Sequence, residues 1–206
     1  MTKIMQKKRV RTQNAIIKAA TYLFRKYGFE ATSMESIAER AEIAAGTLYN
    51  YYGSKSILLI AIFGDMTKSL TDNVPKHSVG AMTQDVAVVD LTSILQIITQ
   101  STILFPKAIM RQIFAQLFLL DAKDVAELAA MDMQIVAMLM PILGDMQQVG
   151  MLAKDTDIEA AAMLLFGSAM MQHQVFISTE EMDEDMLNEA IAAQVRMILF
   201  GLLRRD

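Results

Sequence analysis

Apolar residues recur along this chain at intervals of three and four, which predicts helices almost from end to end. The first starts near Lys7, and Ile16, Ala20, Leu23, Phe24 and Tyr27 share one of its faces. Gly28 supplies the left-handed residue that closes such a helix, with Phe29 folding back as its apolar contact. Thr32-x-x-Glu35 reads as a capping box, so a second helix begins there and buries Ile37, Ala38 and Ala41. After Glu42, Ile43 and Ala44 a third helix runs to about Tyr52. Gly53 ends it, and Ser54 caps a fourth that carries Ile57, Leu58, Ala61 and Ile62 toward Asn73.

Residues 73–84 hold Pro75, Gly80 and several small polar side chains, the composition of a loop. Long helices follow: one over 85–104, and one opened by Pro106 at its first position. A third starts near Lys123 and meets Pro141, which should kink or end it. Thr156-x-x-Glu159 is a second capping box, opening a helix to about Ile177, and the last helix runs from about Asp183 to Arg204.

Composition supports that pattern and narrows the function. The chain has 206 residues with only 9 Gly and 3 Pro, too few turn formers for a many-stranded sandwich or barrel. It has no Cys, hence no disulfide framework and no thiolate metal site, which fits a reducing cytoplasm. His77 and His173 are far apart and neither has a ligand pattern nearby, so no metal or cofactor is expected. No apolar core follows the basic N-terminus, as a secretory signal would require. The apolar stretches 57–63, 135–144 and 160–171 fall short of the ~18–20 residues that span a bilayer. The expectation is a soluble, cytoplasmic protein with no membrane partner.

Charge divides the chain. The net −4 resolves into +6 over residues 1–56 and −10 over the rest. A basic part suited to a polyanion is thus joined to an acidic part that is not. Two short helices joined by a tight turn and preceded by a third make a helix-turn-helix unit within the basic part. At about 100° per residue, Leu48 and Tyr52 point into the core, while Gly46, Thr47 and Asn50 lie opposite, flanked by Tyr49 and Tyr51. Such a helix suits the major groove: Gly46 permits close approach, Thr47 and Asn50 reach base edges, and the tyrosines and Lys55 hold phosphates. Lys3, Lys7, Lys8, Arg9 and Arg11 could reach an adjacent minor groove or phosphates as a flexible arm, or serve only as a solubilising tail.

At these residues the sequence resembles the tetracycline-repressor (TetR/AcrR) family of transcriptional regulators. Thr32, Ile37-Ala38, Ala41, Ile43, Gly46, Leu48-Tyr49, Tyr51-Tyr52, Lys55 and Leu58 stand at that family's spacing, and Ala19, Leu23, Phe24, Gly28 and Phe29 extend the match upstream. Beyond them the chain resembles the family only in size, helical content and helix order. Glu42 stands where the family usually has Gly, Ala44 where it often has Ser or Thr, and Ala45 where some members carry a base-reading polar residue. The lost cap weakens the start of the third helix by roughly 0.5–2 kcal/mol. The resemblance marks Thr32, Ala45, Gly46, Thr47, Tyr49, Asn50, Tyr51 and Lys55 as the DNA-binding set.

The resemblance also implies an all-α architecture: a three-helix DNA-binding domain over 1–56 and a larger helical domain over 57–206 that binds a small effector and dimerises. Of 18 Met, 15 fall after residue 56, and adaptable thioethers suit an apolar or amphipathic ligand as well as an ordinary core. Gln96, Thr99, Arg111, Gln112, Gln116, Gln172 and His173 are polar residues set in apolar helices, able to orient such a ligand. The last two helices offer Ala161, Leu164, Leu165 and Ser168, with Ile191, Val195, Ile198 and Leu202, as faces for a second subunit. The implied function is a ligand-responsive, non-enzymatic DNA-binding regulator, a repressor released from a near-palindromic operator by a small effector. The alternatives are a non-specific DNA-organising or adaptor protein and, further off, a small-molecule enzyme, which the lack of a Gly-rich phosphate loop or Gly-x-Ser-x-Gly elbow disfavours.

Overall fold

Helices account for all the regular structure among the described residues of the computed structural model, which are 3–71, 83–103 and 105–201. In chain order they are α1 (Lys3–Tyr27), α2 (Met34–Arg40), α3 (Ala45–Tyr51), α4 (Lys55–Thr71), α5 (Gln84–Ile103), α6 (Lys107–Leu117), α7 (Ala122–Gln148), α8 (Ile158–Ser178) and α9 (Glu184–Phe200). The loop expected over 73–84, with Pro75, His77 and Gly80, lies almost wholly outside the described residues, as does Leu202. The chain forms two compact units, residues 1–66 with 103–128, and residues 67–102 with 129–206.

The first unit is built on the buried face of α1. Ile16, Ala20 and Phe24 are fully enclosed and Leu23 nearly so, as are Ile37 of α2, Leu48 of α3 and Leu58 and Ile62 of α4, and α1 packs on α2, which packs on α3. Tyr27, expected on that face, is 55% exposed, because Gly28 (φ +89°) turns the chain immediately after it. Phe29 then folds back with its ring 5.2 Å from Phe24, the contact expected of such a terminus. The helix begins at Lys3 rather than near Lys7, so the basic N-terminal residues belong to it.

Several helix starts fall one residue from their expected place, and each shift has a local cause. Thr32 does not cap α2: it is buried and its hydroxyl donates to the Gly28 carbonyl at 2.7 Å. Ser33 takes the cap, exchanging side-chain and backbone hydrogen bonds with Ser36. Asp157, not Thr156, caps α8 by accepting from the Ala160 amide. Pro106 is the cap of α6 rather than its first helical residue. Ser54 caps the start of α4 through the Ile57 amide as expected. Pro141 does not end its helix, since α7 continues to Gln148. Pro141 and Ala137, the residue whose carbonyl loses its helical partner, are both exposed, on the side of the helix where solvent can replace the missing bond.

In the second unit α8 and α9 pack together. Leu187, Ile191 and Val195 of α9 and Leu165, Ala169 and Phe176 of α8 are buried. This corrects the expected subunit faces: Leu165, Ile191 and Val195 are core residues, while Leu164 remains 58% exposed. Ser168 donates its hydroxyl to Gln194 across the pair. By length and composition α7 and α8 could each cross a bilayer, although no uninterrupted apolar run is that long. Part of that apolarity on α8 lies outside the core, at Met163, Leu164, Met171 and Val175.

Candidate nucleic-acid interface

The helix pair α2–α3 presents one side of α3 to solvent because Leu48 anchors the other. Leu48 is fully enclosed and Tyr52, its cap, is 7% exposed. Gly46, Tyr49 and Asn50 are exposed, with Ala45, Thr47 and Tyr51 half-buried beside them. A Cβ built on Gly46 would meet nothing within 4 Å, so the bare backbone there leaves room for an approaching surface. Six of the eight sequence-identified residues, 45–47 and 49–51, thus share one short helix.

The start of that helix is weakly held. Ala44 is its N-cap, in extended conformation (φ −67°, ψ 142°), and it has no side chain able to accept a hydrogen bond. Glu42, in the turn before it, adopts φ +56°, a left-handed conformation that costs a non-glycine residue roughly 1–2 kcal/mol. The Glu42 side chain is exposed. Tyr49 donates its hydroxyl to Glu35 at 3.2 Å, which ties the outer face of α3 to α2. Desolvation and, after it, the Glu35 charge raise the Tyr49 phenol above its ordinary range, so it stays a donor.

Thr32 and Lys55 stand apart from that group and meet each other. The Lys55 ammonium donates to three backbone carbonyls of the α1–α2 turn: Phe29 at 2.6 Å, Thr32 at 3.0 Å and Glu30 at 3.3 Å. It also lies 4.4 Å from the centre of the Phe29 ring. Burial lowers its pKa, and the Glu30 charge opposes that effect. Its three N–H groups are therefore spent on the protein's own backbone, and with the buried Thr32 it sets the turn that holds α2.

The residues proposed from sequence for a ligand do not form one group. Arg111, Gln112 and Gln116 lie on α6, in the first unit. Gln116 donates to the Glu30 carboxylate at 2.6 Å, and a Cβ on Gly28 would come within 3.0 Å of the Gln112 side-chain oxygen. Gln116 therefore braces the α1–α2 turn, and the Gln112 side chain lies beside it. Gln96, Gln172 and His173 lie in the second unit, the first two half-buried, while the Thr99 side chain is outside the described residues. His173 is 1% exposed, and burial depresses its pKa to about 4, so the ring is neutral at pH 7. Asp132 on α7 was not singled out from sequence, though it is a lone carboxylate within an apolar stretch. Burial lifts its pKa to about 6. A second unrecognised feature is Arg40, whose guanidinium stacks 3.5 Å from the centre of the Tyr22 ring.

Residues 16–62, which hold this helix-turn-helix, match the family model described as bacterial regulatory proteins, tetR family. The chain is 33% identical over 87 residues to the uncharacterised HTH-type transcriptional regulator YdeS of Bacillus subtilis, covering 40% of this chain and 42% of that one. It is 45% identical over 49 residues to the HTH-type transcriptional repressor KstR of Mycolicibacterium smegmatis, 24% of each. The matches thus span less than half the length of these curated relatives. In fold, the crystal structure of Thermus thermophilus FadR, a TetR-family repressor in complex with lauroyl-CoA, aligns over 94% of this chain and 96% of its own, with TM-score 0.74 and 22% identity. Residues 16–62 thus carry a helix-turn-helix domain of the TetR family of bacterial regulatory proteins, and the chain as a whole shares the fold of that solved repressor.

Proposed function

We propose that the chain is a ligand-responsive, DNA-binding transcriptional repressor that acts in the cytoplasm and has no enzymatic activity. The observation that carries this reading is the outer face of α3, where Gly46 and Asn50 stand opposite the buried Leu48 with Thr47, Tyr49 and Tyr51 along its flanks. Residues 1–56 are the DNA-binding domain and residues 57–206 bind the effector and a second subunit. The exposed apolar side chains Met163, Leu164, Met171 and Val175 of α8, with Met186 and Met197 of α9, support an isologous dimer through the last two helices. Two recognition helices then read half-sites roughly 34–36 Å apart. The effector is a small apolar or amphipathic molecule held in the second unit, a chemistry that the lauroyl-CoA bound to the structural neighbour favours. It lowers operator affinity by binding better to the conformation that does not fit DNA.

Selection of duplexes from a random pool tests the reading. The expected product is a near-palindrome bound roughly 10³-fold or more tightly than random sequence. Equal binding to all duplexes would support the DNA-organising alternative, and no duplex binding would refute both.

A further inference from the structure

The pair that faces the groove carries the wrong charge for a polyanion. Residues 33–53, from the cap of α2 to the end of α3, hold Arg40 against Glu35, Glu39 and Glu42. Arg40 is stacked on Tyr22, and Lys55, just beyond, has its ammonium on three backbone carbonyls. Phosphate contacts supply most of the salt-dependent affinity of DNA-binding proteins, so cations must come from elsewhere. Helix α1 has eight of them and no acidic residue at all. Five of the eight, Lys3, Lys7, Lys8, Arg9 and Arg11, fall in its first nine residues.

This part of α1 has no structural employment. Its first buried residue is Ile16, and every residue from 3 to 11 is exposed. About 20 Å of helix, residues 3–15, therefore contributes no buried side chain to the unit. Its charges also oppose it. Lys3 and Lys7, and Lys7 and Arg11, are like charges at four-residue spacing, and the first turns face the positive end of the helix dipole. Phosphates placed along it would relieve both costs at once. A membrane surface suits it less, because Ile4, Met5 and Val10 fall on different sides of the helix with cations between them, leaving no segregated apolar face.

We infer that the projecting N-terminal turns of α1 are a second DNA-contacting element, which binds the phosphate backbone of the duplex beyond the segment that α3 reads. This rests on the DNA-binding reading above and assigns its electrostatic share to Lys3, Lys7, Lys8, Arg9 and Arg11 instead of to the helix-turn-helix pair. The element adds affinity without base preference and holds its helix best when DNA is bound.

The test uses the full chain and a random-sequence 40-base-pair duplex, with affinity measured by fluorescence anisotropy from ~50 to ~200 mM salt. Replacing the five cations by Gln should reduce the slope of log affinity against log salt by roughly 3 units, whereas Lys123→Gln with Lys154→Gln should change it by less than about 1. Amide exchange over residues 3–11 should slow when duplex is added to the wild type. An unchanged slope in the five-residue variant, with wild-type duplex binding intact, overturns the inference alone. Absence of wild-type duplex binding overturns the underlying reading as well. Binding to vesicles of equal parts phosphatidylserine and phosphatidylcholine that the five substitutions abolish, with the duplex slope unchanged, would assign the element to membranes and also overturn it.

Discussion

Replacing Lys55 by Met should destabilise the first unit while leaving the salt dependence of DNA binding nearly intact. The substitution keeps most of the alkyl stem and removes only the ammonium. That group donates to the carbonyls of Phe29, Thr32 and Glu30 at 2.6, 3.0 and 3.3 Å. A charge-assisted hydrogen bond contributes about 1.5–3 kcal/mol net, but three bonds from one ammonium do not add in full. The Glu30 carbonyl bond lies at the surface, where water can replace it, whereas the Phe29 and Thr32 bonds are partly buried. The expected loss is therefore about 2–3 kcal/mol. Urea unfolding followed by far-UV circular dichroism reads it as a lower midpoint at unchanged slope. Lys55→Arg should recover part of the loss, since guanidinium keeps the charge but not the compact three-way geometry. Stability within about 0.5 kcal/mol of wild type for Lys55→Met, together with a flattened salt dependence, would refute the capping role and restore Lys55 to the phosphates.

Three further outcomes follow from the geometry. Ala44→Ser supplies the missing cap of α3 and should raise stability by about 1 kcal/mol, read as a higher urea midpoint; no gain would mean that the α3 amides are already satisfied. Gly28→Ala forces a side chain into φ +89° and places Cβ 3.0 Å from the Gln112 oxygen, so melting should show a loss of roughly 1–2 kcal/mol. Adding Gln112→Ala should relieve only the steric part, and full recovery would contradict the backbone argument. Acidification sets two groups against each other. His173, depressed to about 4, binds protons less readily folded than unfolded, so its contribution is lost as pH falls from about 6.5 toward 4. Asp132, raised to about 6, does the reverse and stabilises the fold as pH falls through 6. An Asp132→Asn variant should therefore lose on the order of 2 kcal/mol between pH 7 and pH 5, and adding His173→Gln should flatten that profile. A profile unaffected by His173→Gln would show that the ring is not the group responsible.

The helix-turn-helix was readable because its signals are local. Gly28 and Ser54 stop and start helices through their own backbone and side chains, and Leu48 against Asn50 follows from helical periodicity alone. Caps were misplaced where two good cap formers are neighbours. Thr32 precedes Ser33, and only the inward bond to the Gly28 carbonyl decides between them. The faces of α8 were not readable, because Leu164 and Leu165 are equally apolar while only one is buried. The role of Gln116 was hidden for another reason. Its partner Glu30 is 86 residues away, and neither periodicity nor motif links them. Lys55 shows the limit of a motif: its spacing identifies the position, while its three carbonyl partners depend on how the α1–α2 turn folds.

The central claim is that the outer face of α3 reads base sequence. The most direct measurement compares the base-preference profiles of the wild type and Asn50→Ala, each selected from the same random duplex pool at the same salt. Asn50 is exposed, so its loss should leave folding intact. The account predicts relaxed preference at one symmetry-related pair of positions, costing about 1–3 kcal/mol of discrimination there, with the rest of the site kept. A profile identical to the wild type at every position would contradict it.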